Sequence, residues 1–409
     1  MDKIVGDIKR RVAKYRDFLL DVLGILISIP TVNPPGNSYR DAVEALEPIM
    51  KEAGLMTEII QAPKGEGGLP ENAPPRYSII GERLIDDRPI VHLNGHFDVV
   101  PITGGWTKEP FKMLVEGDRV YGRGSADMKG LVASMLVAVR VIDDMGLDVA
   151  IQTSFVCDEE TGGEAGAGYL AKRGLLKGDI GVVEGVHSPV ITIANKGLIW
   201  HKVVVTGKAA HSSRPHLGLN AFRGAVRAAS SLFDLEEELA KRRTEMEVSD
   251  DAHRYITMNI GGVCDGGTKP NTICDRFSFT VDTRVIPEMC LSEIDKLIRE
   301  RVYKALTGTH YGYNIELIQK VKTAVGLSND RMKELVGMAF SDVVGIKPRF
   351  VLAPFFSDMR YLVSAGIPTI GIGCESGLIH GDDEWVSLEG LTEMSSVMVN
   401  IARHISKSC

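Results

Sequence analysis

The stretch Val91-His-Leu-Asn-Gly-His-Phe-Asp-Val-Val-Pro101 decides how the rest of this 409-residue chain is read. Ile90, Val91 and Leu93 start it as a buried strand, and Gly95 predicts a break. Two groups that bind metals or protons follow at once, His96 and Asp98. Residues i and i+2 of an extended segment point to the same side, so His96 and Asp98 can face one cleft. His96 would then offer one ring nitrogen to a metal. Asp98 would hold the other nitrogen, or a neighbouring ligand. From this stretch alone, a solvated strand end with a chance histidine and aspartate reads equally well. The choice rests on what lies downstream.

Downstream the pattern recurs. Val149 to Val156 is an apolar run that ends in Asp158-Glu-Glu-Thr-Gly-Gly163. Three acids in a row repel one another without a cation. A surface charge run is the alternative, but such runs sit in polar segments, and this one follows Ile151, Phe155 and Val156 directly. Asp179 to Glu184 is a shorter apolar strand with an acid at its end. Between them, Tyr121-Gly-Arg-Gly-Ser-Ala-Asp-Met-Lys-Gly130 puts Asp127 just before a long apolar helix predicted over 131–145. Taken alone, Asp127 reads as a cap for that helix. Strands ending in His96/Asp98, Glu159/Glu160 and Glu184, with helices between them, predict an α/β fold. The ligand crevice of an open α/β sheet lies at the carboxyl ends of its strands. A histidine and several acids delivered there point to a metal.

Upstream, Ile4, Ile8, Val12, Tyr15, Leu19 and Val22 recur at three- and four-residue steps and predict one amphipathic helix. Pro30 and Asn33-Pro-Pro-Gly36 end it in a loop. A helix is expected over 42–53, with strands over 57–61, 77–80 and 90–93. The turn-rich stretch 104–124 reads as a wall or loop of the site. From Val190 the texture changes to a strand (191–206), a helix (220–239), two strands (255–263 and 276–284), a helix (291–306) and a strand (313–321). That βαββαβ order fits a ferredoxin-like unit inserted into the first domain. A helix (330–344) and a strand (369–373) follow. The tail Gly377-Leu-Ile-His-Gly-Asp-Asp-Glu-Trp385 supplies His380, and a helix over 388–406 closes the chain.

Composition sets the outer limits. The chain is 44% hydrophobic and 25% charged, an ordinary globular balance, and its length favours two domains or one with a large insertion. A net charge of -7 and a pI of about 5.9 argue against nucleic acid or an anionic membrane as the partner. The 6 cysteines, Cys157, Cys264, Cys274, Cys290, Cys374 and Cys409, form no C-x-x-C pair and are too sparse for a disulfide scaffold, so a cytoplasmic location is expected. Leu19 to Pro30 has the look of a signal-peptide core. Asp21 interrupts it, Asp2, Asp7 and Asp17 precede it, and no small-residue cleavage site follows. It is also too short to span a bilayer.

Taken together, His96-x-Asp98, Gly124-x-x-Asp127-x-Lys-Gly130, Asp158-Glu-Glu-x-Gly-Gly163, Glu184, Lys208-x-x-His211-Ser-Ser and His380-x-x-x-Glu384 come in the order and spacing of one family. The chain resembles the M20 metallopeptidases and amidohydrolases, which include acetylornithine deacetylases, succinyl-diaminopimelate desuccinylases, aminoacylases and carboxypeptidases. The resemblance covers nearly the whole chain. It implies a mixed-sheet α/β/α catalytic domain over 1–193 and 322–409, with a ferredoxin-like lid and dimerisation domain over 194–321. It implies two zinc ions bridged by Asp127, one held by His96 and Glu184, the other by Glu160 and His380. Glu159 would be the general base and Asp98 the partner of His96. His211 would hold the oxyanion from the partner subunit of a homodimer, and Asn271 and Arg284 would bind a substrate carboxylate. The chain departs from many relatives in reading Val-Glu-Gly around Glu184 and in placing Gly381 and Asp382 after His380.

The donor set suits zinc, and also cobalt or manganese. Two such ions can together activate a water and polarise an amide carbonyl. A carboxylate left free of them, Glu159, can move the proton. The expected function is hydrolysis of an amide in an N-acyl amino acid with a free carboxylate, with a place in amino-acid biosynthesis. A dipeptidase or carboxypeptidase is the alternative. A non-catalytic metal-binding relative is a third reading, which has no use for a free base at Glu159. His187, His201, His216, His253 and His404 read as structural or surface residues.

Overall fold

The strand Ile90–His96 runs straight through Gly95, where the sequence predicts a break. Gly95 serves a close approach instead. A Cβ there would lie 2.8 Å from Val132 Cγ2 and 3.0 Å from Met128 Cε, so the helix behind the strand requires glycine. The structure is a computed structural model that describes residues 3–407; Asp2 and Cys409 lie outside them.

Contacts along the described chain divide it into two compact units. The first comprises Met1–Ala194, Val325–Val351 and Ser357–Cys409, and the second Asn195–Ala324 and Leu352–Phe356.

In the first unit, Ile90–His96 lies inside a mixed sheet, between Ala150–Val156 and Ile180–His187, and is parallel to both. Thr369–Gly373 continues the parallel part beside Ile180–His187. Met56–Gln61 and Tyr77–Arg83 add an antiparallel edge. Every residue of Ala150–Val156 is buried, as expected for a strand covered on both faces. The helix Gly130–Asp144 buries nearly its whole length and packs on Ile90–His96 and on the closing helix Leu388–Ser406. Ser134 Oγ donates to Leu391 O and Ser395 Oγ to Ser134 O, both at 3.0 Å, which fixes the register of the two helices.

Three expectations are corrected here. The N-terminal helix is two helices, Lys3–Lys14 and Arg16–Ser28, parted at Tyr15. No glycine or proline marks that break. The Tyr15 hydroxyl donates to Asp144, and Arg140 covers the rings of Tyr15 and Phe18, so the packing partner sets the kink. The signal-like stretch lies in the second of these helices, where Leu19, Val22, Leu23, Leu26 and Ile27 are buried. The stretch over 104–124 is not all loop. It carries a hairpin, Leu114–Glu116 with Arg119–Tyr121, which pairs with Trp385–Ser387 in a small sheet. The single strand expected over 191–206 is also two, Val190–Asn195 and Gly197–Thr206, which belong to different sheets.

The second unit is the ferredoxin-like βαββαβ. Its antiparallel sheet runs in the order Thr257–Gly266, Arg276–Val285, Gly197–Thr206, Gly312–Val321. Ala221–Leu239 and Leu291–Leu306 lay Leu232, Leu235, Ile294 and Ile298 against Val203, Val205 and Val281. Asn220 caps the first of these helices by accepting from Phe222 N at 3.0 Å. Among the described residues no helix is long and apolar enough to cross a membrane, and Cys157, Cys264, Cys274, Cys290 and Cys374 are free.

Candidate metal centre

Sheet order brings the first three predicted groups together. His96 ends its strand level with Val156, and two residues past Val156 the chain turns through Asp158 into Glu159 and Glu160. On the other side Leu93 pairs with Val182, two residues before Glu184. His96, Asp127 and Glu160 offer ligand atoms within 4.8 Å of one another. His96 Nε2 lies 3.0 Å from Asp127 Oδ1. His380 Nε2 lies 3.2 Å from Asp127 Oδ2 and 3.2 Å from Glu160 Oε2. Asp127 does not cap the following helix. The residue at that position is Lys129, with no side-chain cap bond, and both Asp127 oxygens face histidines.

Buried acids outnumber the cations around them. Asp98 and Glu159 are buried, and Glu160 keeps only 5% of its side chain exposed. Burial, helped by the Asp127 charge, raises Glu160 to about 7. Burial raises Glu159 well above the usual carboxylate range, with Glu184, Asp358 and Glu160 adding to it against the pull of His96. It raises Glu184 too. Hydrogen bonds that the His380 ring donates to Asp127 and Glu160 lift it to about 10. Asp127 is held low: burial would raise it, and His380 and His96 together overcome that. Glu160 Oε1, Glu184 Oε2 and both oxygens of Asp358 are buried with no hydrogen-bond partner. Orphaned carboxylate oxygens beside a cluster of histidines and acids are what a cation would satisfy, so the donor set fits divalent metal.

A match to the family described as Peptidase family M20/M25/M40 runs over residues 92–404, from the strand that holds His96 to the closing helix. The chain belongs to that family. It is 35% identical over 209 residues to an acetylornithine deacetylase of Yersinia pseudotuberculosis serotype O:1b (strain IP 31758), a match covering 51% of this chain and 52% of the relative. That match spans about half the relative's length. An acetylornithine deacetylase of Edwardsiella ictaluri (strain 93-146) is 29% identical over 320 residues, covering 76% of this chain and 79% of the relative. The fold is similar to that of a di-peptidase from Saccharomyces cerevisiae, with a TM-score of 0.81 at 16% identity over 100% of this chain and 99% of that one.

In this M20 chain Asp98 meets His96 through its main chain. Its carbonyl oxygen lies 3.1 Å from His96 Nδ1, whereas its carboxylate is 3.6 Å away. The carboxylate accepts instead from Glu159 N, Glu160 N and Asn33 Nδ2. Asp158, the first of the three acids, leaves the cluster and pairs with Arg76 at 2.9 Å. The remaining predicted residues lie in the second unit. His211 is exposed, with Nδ1 2.8 Å from Ser213 Oγ. Asn271 stands beside it, its carbonyl accepting from Ser212 N at 3.0 Å. Arg284 grips Asp282 through Nε and Nη2, both at 3.0 Å.

Sequence reasoning missed several residues. Asn33 ties Asp98 to Thr161, whereas in the sequence Asn33-Pro-Pro-Gly36 signals only a helix stop. Asp358 brings a further buried acid beside Glu184 and Glu159. Lys196, buried at the junction of two strands, donates to Tyr255 O at 2.5 Å, and burial with the nearby Arg284 charge lowers it to about 8. Asp358 lies outside the predicted elements, and Lys196 falls inside the strand predicted over 191–206, where nothing in the pattern sets it apart.

Proposed function

We propose that this M20 chain is a metal-dependent amide hydrolase acting on an N-acyl amino acid that carries a free carboxylate. The observation that carries this reading is the convergence of His96, Asp127, Glu160 and His380 beside the orphaned oxygens of Glu160 and Glu184. The acetylornithine deacetylase relatives favour the deacylase over the peptidase.

Asp127 would bridge two ions, one sharing His96 and Glu184, the other Glu160 and His380. The donors suit zinc, with cobalt or manganese as substitutes. Two divalent ions there would make a water more acidic and withdraw charge from an amide carbonyl. The rest falls to the chain's own groups. Glu159, buried and made more basic by its surroundings, takes the proton of the attacking water and hands it to the leaving nitrogen. Asp98 fixes the turn that carries Glu159 and Glu160 by accepting both of their N–H groups at 3.2 Å. Asn271 and Arg284 would hold the substrate carboxylate. Arg284 already shares its fork with Asp282, so the substrate would compete with that acid.

His211 would donate to the developing oxyanion from a second copy of the chain. What supports a homodimer is apolar surface on the second unit. Phe222, Val226 and Phe233 are 49%, 50% and 49% exposed on one helix, and Gly312–Val321 is a sheet edge. The test is a substrate panel of acetyl-ornithine, succinyl-diaminopimelate, other acyl amino acids and dipeptides, run with added zinc, cobalt or manganese. Turnover confined to dipeptides would replace the deacylase by a peptidase. No metal-dependent hydrolysis of any member would overturn both.

A further inference from the structure

The geometry points to Glu384, acting with Arg123, as the positioning residue that fixes Asp127 and His380 relative to each other. The inference rests on the reading of Asp127 and His380 as metal ligands.

Glu384 is 1% exposed and follows His380 closely in sequence, so it could be taken for one more ligand. Its oxygens are otherwise engaged. Oε1 accepts from Ala126 N at 2.9 Å and Asp127 N at 3.1 Å. Oε2 accepts from Gly124 N at 2.9 Å and Arg123 Nη1 at 2.7 Å. The main-chain carbonyl of Glu384 takes Gly122 N at 3.1 Å and Ser125 Oγ at 3.3 Å. One buried side chain therefore holds the whole turn that leads into Asp127, and the last amide it holds is that of Asp127 itself. Gly124 lets the turn close at φ 84°, and a Cβ there would stand 2.6 Å from Val99 Cγ1.

Arg123 extends the clamp to the other ligand. One arm binds Glu384, and Nη2 donates to Gly381 O at 3.1 Å, the residue after His380. That support is needed, because Leu378, His380 and Asp383 sit at φ 56°, 61° and 54°, a region side chains avoid. The two neighbouring acids also point away from the ligands. Asp382 takes the Thr103 hydroxyl, and Asp383 accepts from Thr107 N at 2.9 Å and Lys108 N at 3.1 Å. The acids after His380 thus hold its loop. A simple buried ion pair would satisfy Arg123 but would not need the amides of Gly124, Ala126 and Asp127.

Glu384→Gln is the decisive variant. A glutamine keeps one acceptor and turns an N–H pair toward amides that are themselves donors. Outer partners of ligands typically contribute about 10–100-fold in metal affinity. Metal-free protein is titrated with zinc chloride by calorimetry, alongside Asp127→Ala and Glu384→Asp. We expect two zinc equivalents in the unchanged chain and in Glu384→Gln, the weaker equivalent in Glu384→Gln falling about 10–100-fold. That equivalent belongs to His380, since the clamp holds both Asp127 and the His380 loop. Its loss is partly restored in Glu384→Asp, and the visible spectrum of the cobalt-loaded variant shifts. Unchanged affinities and cobalt spectrum in folded Glu384→Gln would overturn the proposal. Should the unchanged chain bind no zinc, or Asp127→Ala bind it normally, the metal-ligand reading fails first. If Glu384→Gln does not fold, hydrogen exchange in the unchanged metal-free chain decides. The amides of Gly124, Ala126 and Asp127 should exchange slowly, and exchange at open-loop rates would remove the clamp.

Discussion

Asp98 grips the main chain of Glu160: its Oδ2 accepts the Glu160 N–H at 3.2 Å, while Oδ1 takes that of Glu159 at 3.2 Å. Asp98 of the pair His96-x-Asp98 thus works across the sheet, from one strand end to the turn after its neighbour. Asp98→Asn would set an amide donor against one of these N–H groups. Zinc affinity is expected to fall about 10–100-fold, with turnover falling alongside it. Titration and rate measurement on the same preparation check this. A variant that binds zinc and turns over like the unchanged chain would mean that the Asp98 carboxylate holds nothing of consequence.

Glu159 and Glu160 are adjacent and both buried, yet only Glu160 shares an imidazole with Asp127. Glu159→Gln should therefore keep its full metal content and lose at least ~100-fold in turnover. Elemental analysis and steady-state kinetics separate the two effects. Loss of metal with loss of rate would make Glu159 a ligand and leave the base unassigned.

Asp127→Ala removes the one side chain among the described residues that pairs with both His96 and His380. Metal content should drop at both positions together. Retention of a single tightly held ion would fit two independent sites and end the bridging assignment.

Much of this architecture is legible because its signals are local. Leu291–Leu306, Asp330–Val344 and Leu388–Ser406 follow from helical periodicity alone. The cluster is legible because acids after apolar strands are costly without partners. What escaped is set by contacts distant in sequence. The break at Tyr15 depends on Asp144 and Arg140. The departure of Asp158 from the cluster depends on Arg76. The split at Lys196 falls where the chain passes from one compact unit to the other, with no glycine or proline before it in the strand. The motif His380-x-x-x-Glu384 marks Glu384 without giving it a task, and its amide partners show what it does.

Stability should carry a pH signature from His92. The ring is fully buried between Lys177 O at 2.8 Å and Ser154 Oγ at 2.7 Å. Burial lowers it from 6.5 to about 4. A histidine held neutral in the fold contributes stability in full above its unfolded value. That contribution fades as pH falls through 6.5 toward about 4 and amounts to roughly 3 kcal/mol. In His92→Gln, the loss of urea resistance between pH 7 and pH 4.5 should shrink by about 2–3 kcal/mol relative to the unchanged chain. Parallel pH profiles for the two proteins would show that His92 titrates alike folded and unfolded.

His211 gives the sharpest test of the proposed assembly. It lies in the second unit, exposed, while His96, Asp127, Glu159, Glu160 and His380 all lie in the first. A donor aimed at a developing oxyanion is worth roughly 3–4 kcal/mol when removed, so His211→Ala alone should be nearly inactive. Suppose the donor comes from the partner copy. A Glu159→Gln chain can then lend its intact His211 to a His211→Ala chain that keeps Glu159. Each mixed dimer has one complete site of two, so a random mixture should recover roughly a quarter of the original activity and purified mixed dimers about half. Co-expression of the two inactive variants under separate tags, followed by tandem purification, isolates the mixed species for assay. Demonstrated mixed dimers with no recovered turnover would place His211 in its own chain's site or outside the reaction.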